Sequence, residues 1–250
     1  MINGEWWDAA WNPFIGCTPV SEGCINCWAK SIHNRFEKSH SFDQVLFYGA
    51  RLREPIDRWK QHKNIFVCNM SDLFHDDICF EDYNKIWFER IFEQLQYCQN
   101  NHTYFILTKR PKNIRSAPLE ILDSLHNTYF GVSAEKQEMA NQRINDLLGV
   151  PVINRFASFE PLLGPISLRA VDDYVYGNGQ AKINWVIVGC ESGPKRRPCK
   201  IEWVRDIVNE CKEARVPVWV KQLDINGKCE KDLRKFPKNL RIRQYPEGLK

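Results

Sequence analysis

A parallel α/β fold is what the sequence predicts, on three observations. Short β-branched or aromatic runs recur along the chain, longer stretches with helical periodicity separate them, and the runs themselves are almost continuously apolar. A crossover between parallel strands needs a dozen or so residues and usually uses a helix. Near-continuous apolar strands fit a sheet covered on both faces. The form expected is a partial (β/α)6-type parallel barrel with an additional C-terminal strand and a basic tail. A doubly wound open sheet is the competing architecture.

The predicted strands run in order. "PFIG", just before Cys17, begins the series and is followed by a helix from about Cys24 to Lys38. Then come "NIFVCNM" (64–70), "TYFILT" (103–108), "TYFGVS" (128–133), "PVINRFAS" (151–158), "NWVIVG" (184–189) and "VPVWVK" (216–221). Between them "FEDYNKIWFERIFEQLQYCQ", "KNIRSAPLEILDSL", "EKQEMANQRINDLL" and "KIEWVRDIVNECKEA" space apolar residues by three and four, as amphipathic helices do. The stretch after Ser158 contains Gly164, Pro165, Gly177 and Gly179 without a long periodic run, so it reads as a loop. Residues 1–225 are expected to form the barrel-like domain, with 226–250 a basic extension packed on or near it.

Composition excludes several classes. With 43% hydrophobic and 26% charged residues, the chain reads as a soluble globular protein. It offers neither an apolar run of about 18 residues nor a basic start followed by an apolar stretch, so a membrane span and a signal peptide are not expected, and a cytoplasmic location is. The ten cysteines are therefore expected to be reduced, with Cys68, Cys98, Cys190 and Cys211 acting as core fillers. Net charge is +4, and residues 226–250 hold eight basic against three acidic residues, which leaves the remainder close to neutral.

In a parallel barrel the reactive residues follow the carboxyl ends of the strands. That rule collects Ser71 and Asp72; Lys109 and Arg110; Ser133 and Glu135; Glu160; Glu191 and Ser192; and Lys221 with Gln222. Singly, each reads as a helix cap or a solvated turn; together they suggest a common site. Alternation along the fifth run puts Phe156, Ser158 and Glu160 on one face and turns Arg155 away.

The loop after the first strand, "GCTPVSEGCINCWAK", contains Cys17, Cys24 and Cys27 with spacing C-x6-C-x2-C. Structural zinc would need a fourth ligand, for which His33 or Cys68 can be proposed. A redox dithiol of Cys24 and Cys27 leaves Cys17 unexplained. An iron–sulfur cluster held by three thiolates uses all three and leaves one iron open to a small molecule.

Three cysteines in this position resemble the radical S-adenosylmethionine superfamily, with a wider first gap than its commonest C-x3-C-x2-C. "WNPFIGCTPVSEGCINCWAK", "NMSDLFHDD", "ILTKRP", "FGVSAE", "FEPLLGP", "WVIVGCESGP" and "VKQL" together resemble one small, phage-associated family of that superfamily, over nearly the whole chain. Cys190 stands where those relatives usually have glycine. The resemblance implies that Cys17, Cys24 and Cys27 bind a [4Fe-4S] cluster and that S-adenosylmethionine is the co-substrate, with an external electron donor as partner. It also implies cofactor contacts: Ser71 and Asp72 for the methionine amino group, Lys109 or Arg110 for its carboxylate, Ser133 and Glu135 for the ribose or methionine, and Asn26 and Trp28 near the adenine. Glu160, Glu191, Lys221 and Gln222 fall to the substrate side. Cys190 is a candidate hydrogen donor, with a buried small hydrophobe as its plainer role.

Lys195, Arg196 and Arg197 follow the sixth strand and the basic segment follows the seventh, which favours an anionic polymer as substrate. The phage-associated resemblance points the same way, toward modification of thymine-derived bases in DNA, where a base in duplex would have to leave the stack. The alternatives are a zinc-stabilised, non-catalytic nucleic-acid-binding module and a radical enzyme acting on a peptide or metabolite.

Overall fold

The computed structural model describes residues 5–171 and 182–249. The fold is mixed α/β with mostly parallel strands, and the chain divides into two compact units. The first comprises Trp7–Gly131 and Gly149–Asn154; the second comprises Met1–Trp6, Val132–Leu148 and Arg155–Lys250.

The first unit contains, in chain order, β1 (Ala9–Trp11), β2 (Phe14–Ile15), α1 (Trp28–Phe36), β3 (Leu46–Phe47), α2 (Glu54–Asp57) and β4 (Asn64–Val67). It continues with α3 (Asp76–Phe80), α4 (Asp82–Tyr97), β5 (Thr103–Thr108), α5 (Leu119–Leu122) and most of β6 (Thr128–Ser133). Its strand order is β1-β4-β5-β6. Ala9 lies opposite Ile65 and Ile65 opposite Tyr104, both in parallel ladders. The first parallel strand is thus "AAW" rather than "PFIG". Pro13 has no N–H to give a ladder and its carbonyl accepts from Tyr48 N–H (2.7 Å), so Phe14 and Ile15 turn aside and pair antiparallel with Phe47 and Leu46. α1 also starts later than the sequence predicts, because Glu22–Cys24 form a separate 3-10 turn and Cys27 stands at the helix N-cap. The core of this unit is aromatic: Phe74 packs against Phe88, Phe92 and Phe130.

The second unit adds α6 (Gln137–Leu148), β7 (Asn154–Phe159), β8 (Trp185–Gly189), α7 (Ile201–Glu213), β9 (Val218–Ile225) and β10 (Lys228–Glu230), with strand order β7-β8-β9-β10. β7, β8 and β9 are parallel, and α7 buries Val204, Ile207, Val208 and Cys211 along one stripe. β7 begins three residues after the predicted run, past Pro151. The predicted loop after Ser158 contains no regular element among its described residues, and its stretch 172–181 lies outside them. Its described part is tied down by Glu210, whose carboxylate accepts from Ser167 Oγ (3.0 Å) and from Leu168 N–H (2.5 Å).

β9 outlasts its predicted end by four residues and folds back as an antiparallel hairpin onto β10. Asn226 and Gly227 make the turn with φ of 51° and 71°, the left-handed pair that two-residue hairpins need. The basic segment beyond is packed. Phe236 and Leu240 are buried, and the Tyr245 ring packs at a tilt against Trp185 and Trp219 while its hydroxyl donates to the Trp6 carbonyl (3.0 Å). Arg243 donates to the carbonyls of Val220, Lys221 and Lys231 with its head over Trp219 and Phe236. Among the described residues no helix is long and apolar enough to cross a membrane.

Arg243 therefore holds the C-terminal segment rather than a phosphate. Arg243→Met should strand those carbonyls and lower unfolding stability by about 2–3 kcal/mol in urea titration, with the salt dependence of any nucleic-acid binding unchanged.

Candidate functional site

In the first unit the site begins at a glycine. Gly16 has a φ of 108°, and a Cβ there would sit 2.1 Å from the carbonyl oxygen of Gln44, so both conformation and space demand glycine. Its N–H donates to Met70 O (3.1 Å), its carbonyl accepts from Ser71 Oγ (2.5 Å), and the next N–H, of Cys17, donates to Phe42 O (2.8 Å). Cys17 is thereby fixed from two sides. Ser71, predicted to meet a co-substrate, uses its hydroxyl to anchor the cysteine loop.

Asp72, at the end of the segment after β4, is buried and accepts from Phe74 N–H (3.0 Å), Thr108 Oγ1 (2.7 Å) and Lys109 N–H (3.0 Å). Its fourth partner is the Arg110 guanidinium at 3.5 Å, in an ion pair with both side chains under a tenth exposed. Arg110 reaches onward: Nη1 donates to Cys17 Sγ (3.6 Å) and Nη2 to the carbonyl and hydroxyl of Thr18 (3.0 and 2.9 Å). Arg110 thus faces the cysteine loop, and Lys109 contributes its backbone. His75 completes the group. Its Nδ1 lies 3.1 Å from Asp77 N–H, and its Nε2 lies 3.3 Å from Thr18 N–H and 2.7 Å from Thr18 Oγ1. Burial and then the Arg110 charge hold the His75 pKa down, keeping the ring neutral.

Cys17, Cys24 and Cys27 are all half-exposed free thiols, in contrast to the buried Cys68, Cys79, Cys98 and Cys211 of the core. Cys24 ends a 3-10 turn whose carbonyl accepts from Cys27 N–H (3.2 Å), so two helical turns aim two of the three thiols. Burial first, and the Asp72 carboxylate second, push the Cys17 thiol up to about 12 while the Arg110 guanidinium opposes the shift. A cationic donor against one of three accessible thiols suits a set of thiolates that would hold a cluster, because it offsets the charge left when the proton departs. The candidate fourth zinc ligands fit less well. Cys68 is buried with its thiol raised to about 12 by burial, and His33 Nε2 is engaged 3.2 Å from His40 Nε2. Among the described residues no set of three or more His, Cys, Asp or Glu converges tightly enough for a single metal ion. Asn26 is half-buried between the last two cysteines and Trp28 opens α1 with its ring exposed.

The second unit has its own polar group. Lys221 on β9 lies 3.2 Å from Glu5 and 3.6 Å from Glu160, and all three side chains are about a fifth exposed or less apart from Glu5, at 22%. Glu160 also accepts from Ser158 Oγ (3.4 Å) and precedes Pro161 through a cis peptide bond. Gly189 makes room for this carboxylate, since a Cβ there would fall 2.6 Å from Glu160 Oε1. Desolvation raises the Glu160 pKa, with Lys221 opposing. Beside them Gln222 Nε2 donates to Cys190 O (2.6 Å), while its buried Oε1 has no protein donor.

Other predicted residues in this unit are engaged in structural pairs. Glu135 takes a buried ion pair with Arg143 (3.0 Å), and Ser133 Oγ donates to Glu160 O (3.0 Å). Glu191 is gripped by Arg197 at 3.0 Å (Nε) and 2.5 Å (Nη2), and Arg196 pairs with Asp224 at 3.3 Å. Lys195 stands exposed beside them. Sequence reasoning missed Thr18, His75, Thr108 and Glu5. His75 falls within the quoted "NMSDLFHDD", but no spacing rule ties it to Thr18, and Glu5 is 155 residues from Glu160.

Two outcomes follow. Gly16→Ala should cost about 1–3 kcal/mol in thermal or urea unfolding and lower the affinity of the cysteine loop for any metal. Lys221→Met should leave Glu160 and Glu5 without their shared cation, costing on the order of 3 kcal/mol at neutral pH. Because the folded-state pKa of Glu160 is raised, its contribution to stability is present below the ordinary carboxylate pKa and lost as pH rises, so the deficit of this variant should shrink on acidification when unfolding is measured across pH 4 to 8.

No curated protein and no solved structure shows a significant match to this sequence. A family described as a protein of unknown function, DUF5131, matches residues 2–245, nearly the full length. The chain belongs to the DUF5131 family.

Proposed function

We propose that this protein is a radical S-adenosylmethionine enzyme of partial-barrel architecture that modifies a nucleic-acid base. The observation that carries the reading is the set of three half-exposed thiols with the buried Arg110 guanidinium donating to Cys17 Sγ. Cys17, Cys24 and Cys27 would hold a [4Fe-4S] cluster. When bound, such a cluster would supply one-electron reductive cleavage of S-adenosylmethionine to methionine and a 5′-deoxyadenosyl radical, the electron coming from an external donor.

The protein's own residues do the positioning. Ser71 and Gly16 set the loop, Asp72 anchors Arg110, and Arg110 steadies the charge on Cys17. Asn26 and the exposed Trp28 ring lie beside the last cysteine, where a flat adenine has a surface to rest on. In the second unit the partly exposed Glu160 and Lys221 would offer an acceptor and a donor to a polar substrate. Glu191 and Arg197 brace the strand end, and Cys190 is buried just past β8. An anionic polymer is supported by exposed Lys200, Lys228 and Lys238, more than by Arg196 and Arg197, whose charges are countered by Asp224 and Glu191. The proposed substrate is DNA with a thymine-derived base, modified by rearrangement or a related reaction in the cytoplasm of a phage-infected or prophage-bearing bacterium. A zinc-stabilised nucleic-acid-binding module is the second reading, and the engaged state of His33 and Cys68 weighs against it.

The test is incubation of anaerobically reconstituted, reduced protein with S-adenosylmethionine and base-deuterated DNAs, followed by mass analysis of the nucleosides. The expected result is 5′-deoxyadenosine carrying substrate deuterium, with Cys24→Ala reducing it to background. Deuterium arriving from a peptide or metabolite but from no DNA would reassign the substrate; no 5′-deoxyadenosine from any of them would overturn the proposal.

A further inference from the structure

Outside the cysteine loop, two imidazoles and a phenol meet in the first unit. His33 is buried on α1, where its ring packs against Phe42 with centroids 5.3 Å apart. Its Nε2 stands 3.2 Å from His40 Nε2, and the Tyr48 hydroxyl stands 3.5 Å from that same His40 nitrogen. Ser39 orients His40 from the other side of the ring. Its Oγ donates to Glu37 Oε1 (2.8 Å) and lies 3.0 Å from His40 Nδ1. With the single hydroxyl proton given to the carboxylate, the Ser39 oxygen accepts from His40 Nδ1–H, and a lone pair is left on His40 Nε2.

We propose that His33, His40 and Tyr48 form a binding site for one divalent transition-metal ion of the zinc and cobalt type, separate from the cysteine loop. In a tetrahedral site with metal–nitrogen bonds of about 2.0–2.1 Å, two ligating nitrogens stand about 3.3 Å apart. The two Nε2 atoms already have that spacing. Imidazole suits such ions, and the chain from Glu37 through Ser39 to His40 supplies the outer hydrogen bond that fixes a ligating histidine in place. In the metal-free state one proton lies between the two Nε2 atoms. An ion that takes its place sends this proton to His33 Nδ1, a buried atom with no hydrogen bond to break.

A further coordination position is open to solvent. A cavity of about 590 Å³ is lined by His40 and Tyr48 together with Glu37, Ser39, Tyr83 and Asn84, so water or a small anion reaches the ion from that side. The ion would tie the connection between α1 and β3, which contains His40, and Tyr48 just past β3 onto the buried His33. No cysteine contributes a donor, so the site stands whether or not the cysteine loop binds a cluster.

Cobalt(II) would be titrated into the full chain carrying Cys17→Ser, Cys24→Ser and Cys27→Ser, so that the loop cannot compete. One cobalt per chain is expected, with ligand-field absorption but no thiolate-to-cobalt charge transfer. The ring-proton magnetic resonance signals of His33 and His40 should be lost ahead of those of His62, His102 and His126, and the same two should be lost in the unaltered chain. The half-exposed His40→Ala should weaken binding by about tenfold or more with the far-ultraviolet circular dichroism unchanged, and Tyr48→Phe should weaken it as well. No cobalt uptake by the altered chain, an affinity indifferent to His40→Ala, or signal loss centred on other histidines would overturn the assignment.

Discussion

Asp72 carries a buried negative charge, and the structure around Cys17 is arranged to keep that charge satisfied. Two backbone N–H groups, the Thr108 hydroxyl and the Arg110 guanidinium surround it. A carboxylate so placed is stable only if every partner is present, because removing one member of a buried pair typically costs about 3–5 kcal/mol. The constraint spreads outward. Arg110 cannot leave Asp72, so its remaining donors are fixed on Thr18 and the Cys17 sulfur, and the segment after β4, the end of β5 and the cysteine loop become one rigid body of hydrogen bonds. A loop with three thiols would otherwise be free to move, since its cysteines lie in short turns with few apolar anchors.

The second unit solves a different electrostatic problem. Lys221 stands between two carboxylates, and Gly189 withholds a side chain so that Glu160 can approach the strand. Lys231 also approaches Glu5, at 3.8 Å, so two acids and two cations balance in this group, beside a buried Gln222 acceptor that has no protein donor.

Much of the fold was legible because its strands announce themselves by composition. "TYFILT" and "TYFGVS" coincide with β5 and β6, since continuous β-branched and aromatic runs bounded by polar residues have no competing helical period. The first strand was misplaced because "AAW" is three residues of weak β propensity, paired only through its tertiary contact with β4, whereas "PFIG" has the stronger local pattern and the wrong partner. The hairpin at Asn226–Gly227 was readable from that dipeptide, but the expected last strand ended at Lys221 and the residues from 226 on were expected only as a packed basic extension. For the site, spacing found the cysteines and strand-end logic found Asp72, Glu160 and Lys221. Neither could reveal that Arg110 turns to the cysteine loop or that Glu135 pairs with Arg143, because those partners lie 93 and 8 residues apart and are chosen by packing.

The proposed function requires that the three thiols bind an iron–sulfur cube with one iron open to a co-substrate. Electron paramagnetic resonance of the anaerobically reconstituted, dithionite-reduced protein, recorded with and without S-adenosylmethionine beside iron and sulfide analysis, tests this most directly. The account predicts about four irons and four sulfides per chain and a cluster signal that changes shape when the co-substrate is added. A colourless protein with one zinc, or a cluster signal indifferent to S-adenosylmethionine, would contradict it.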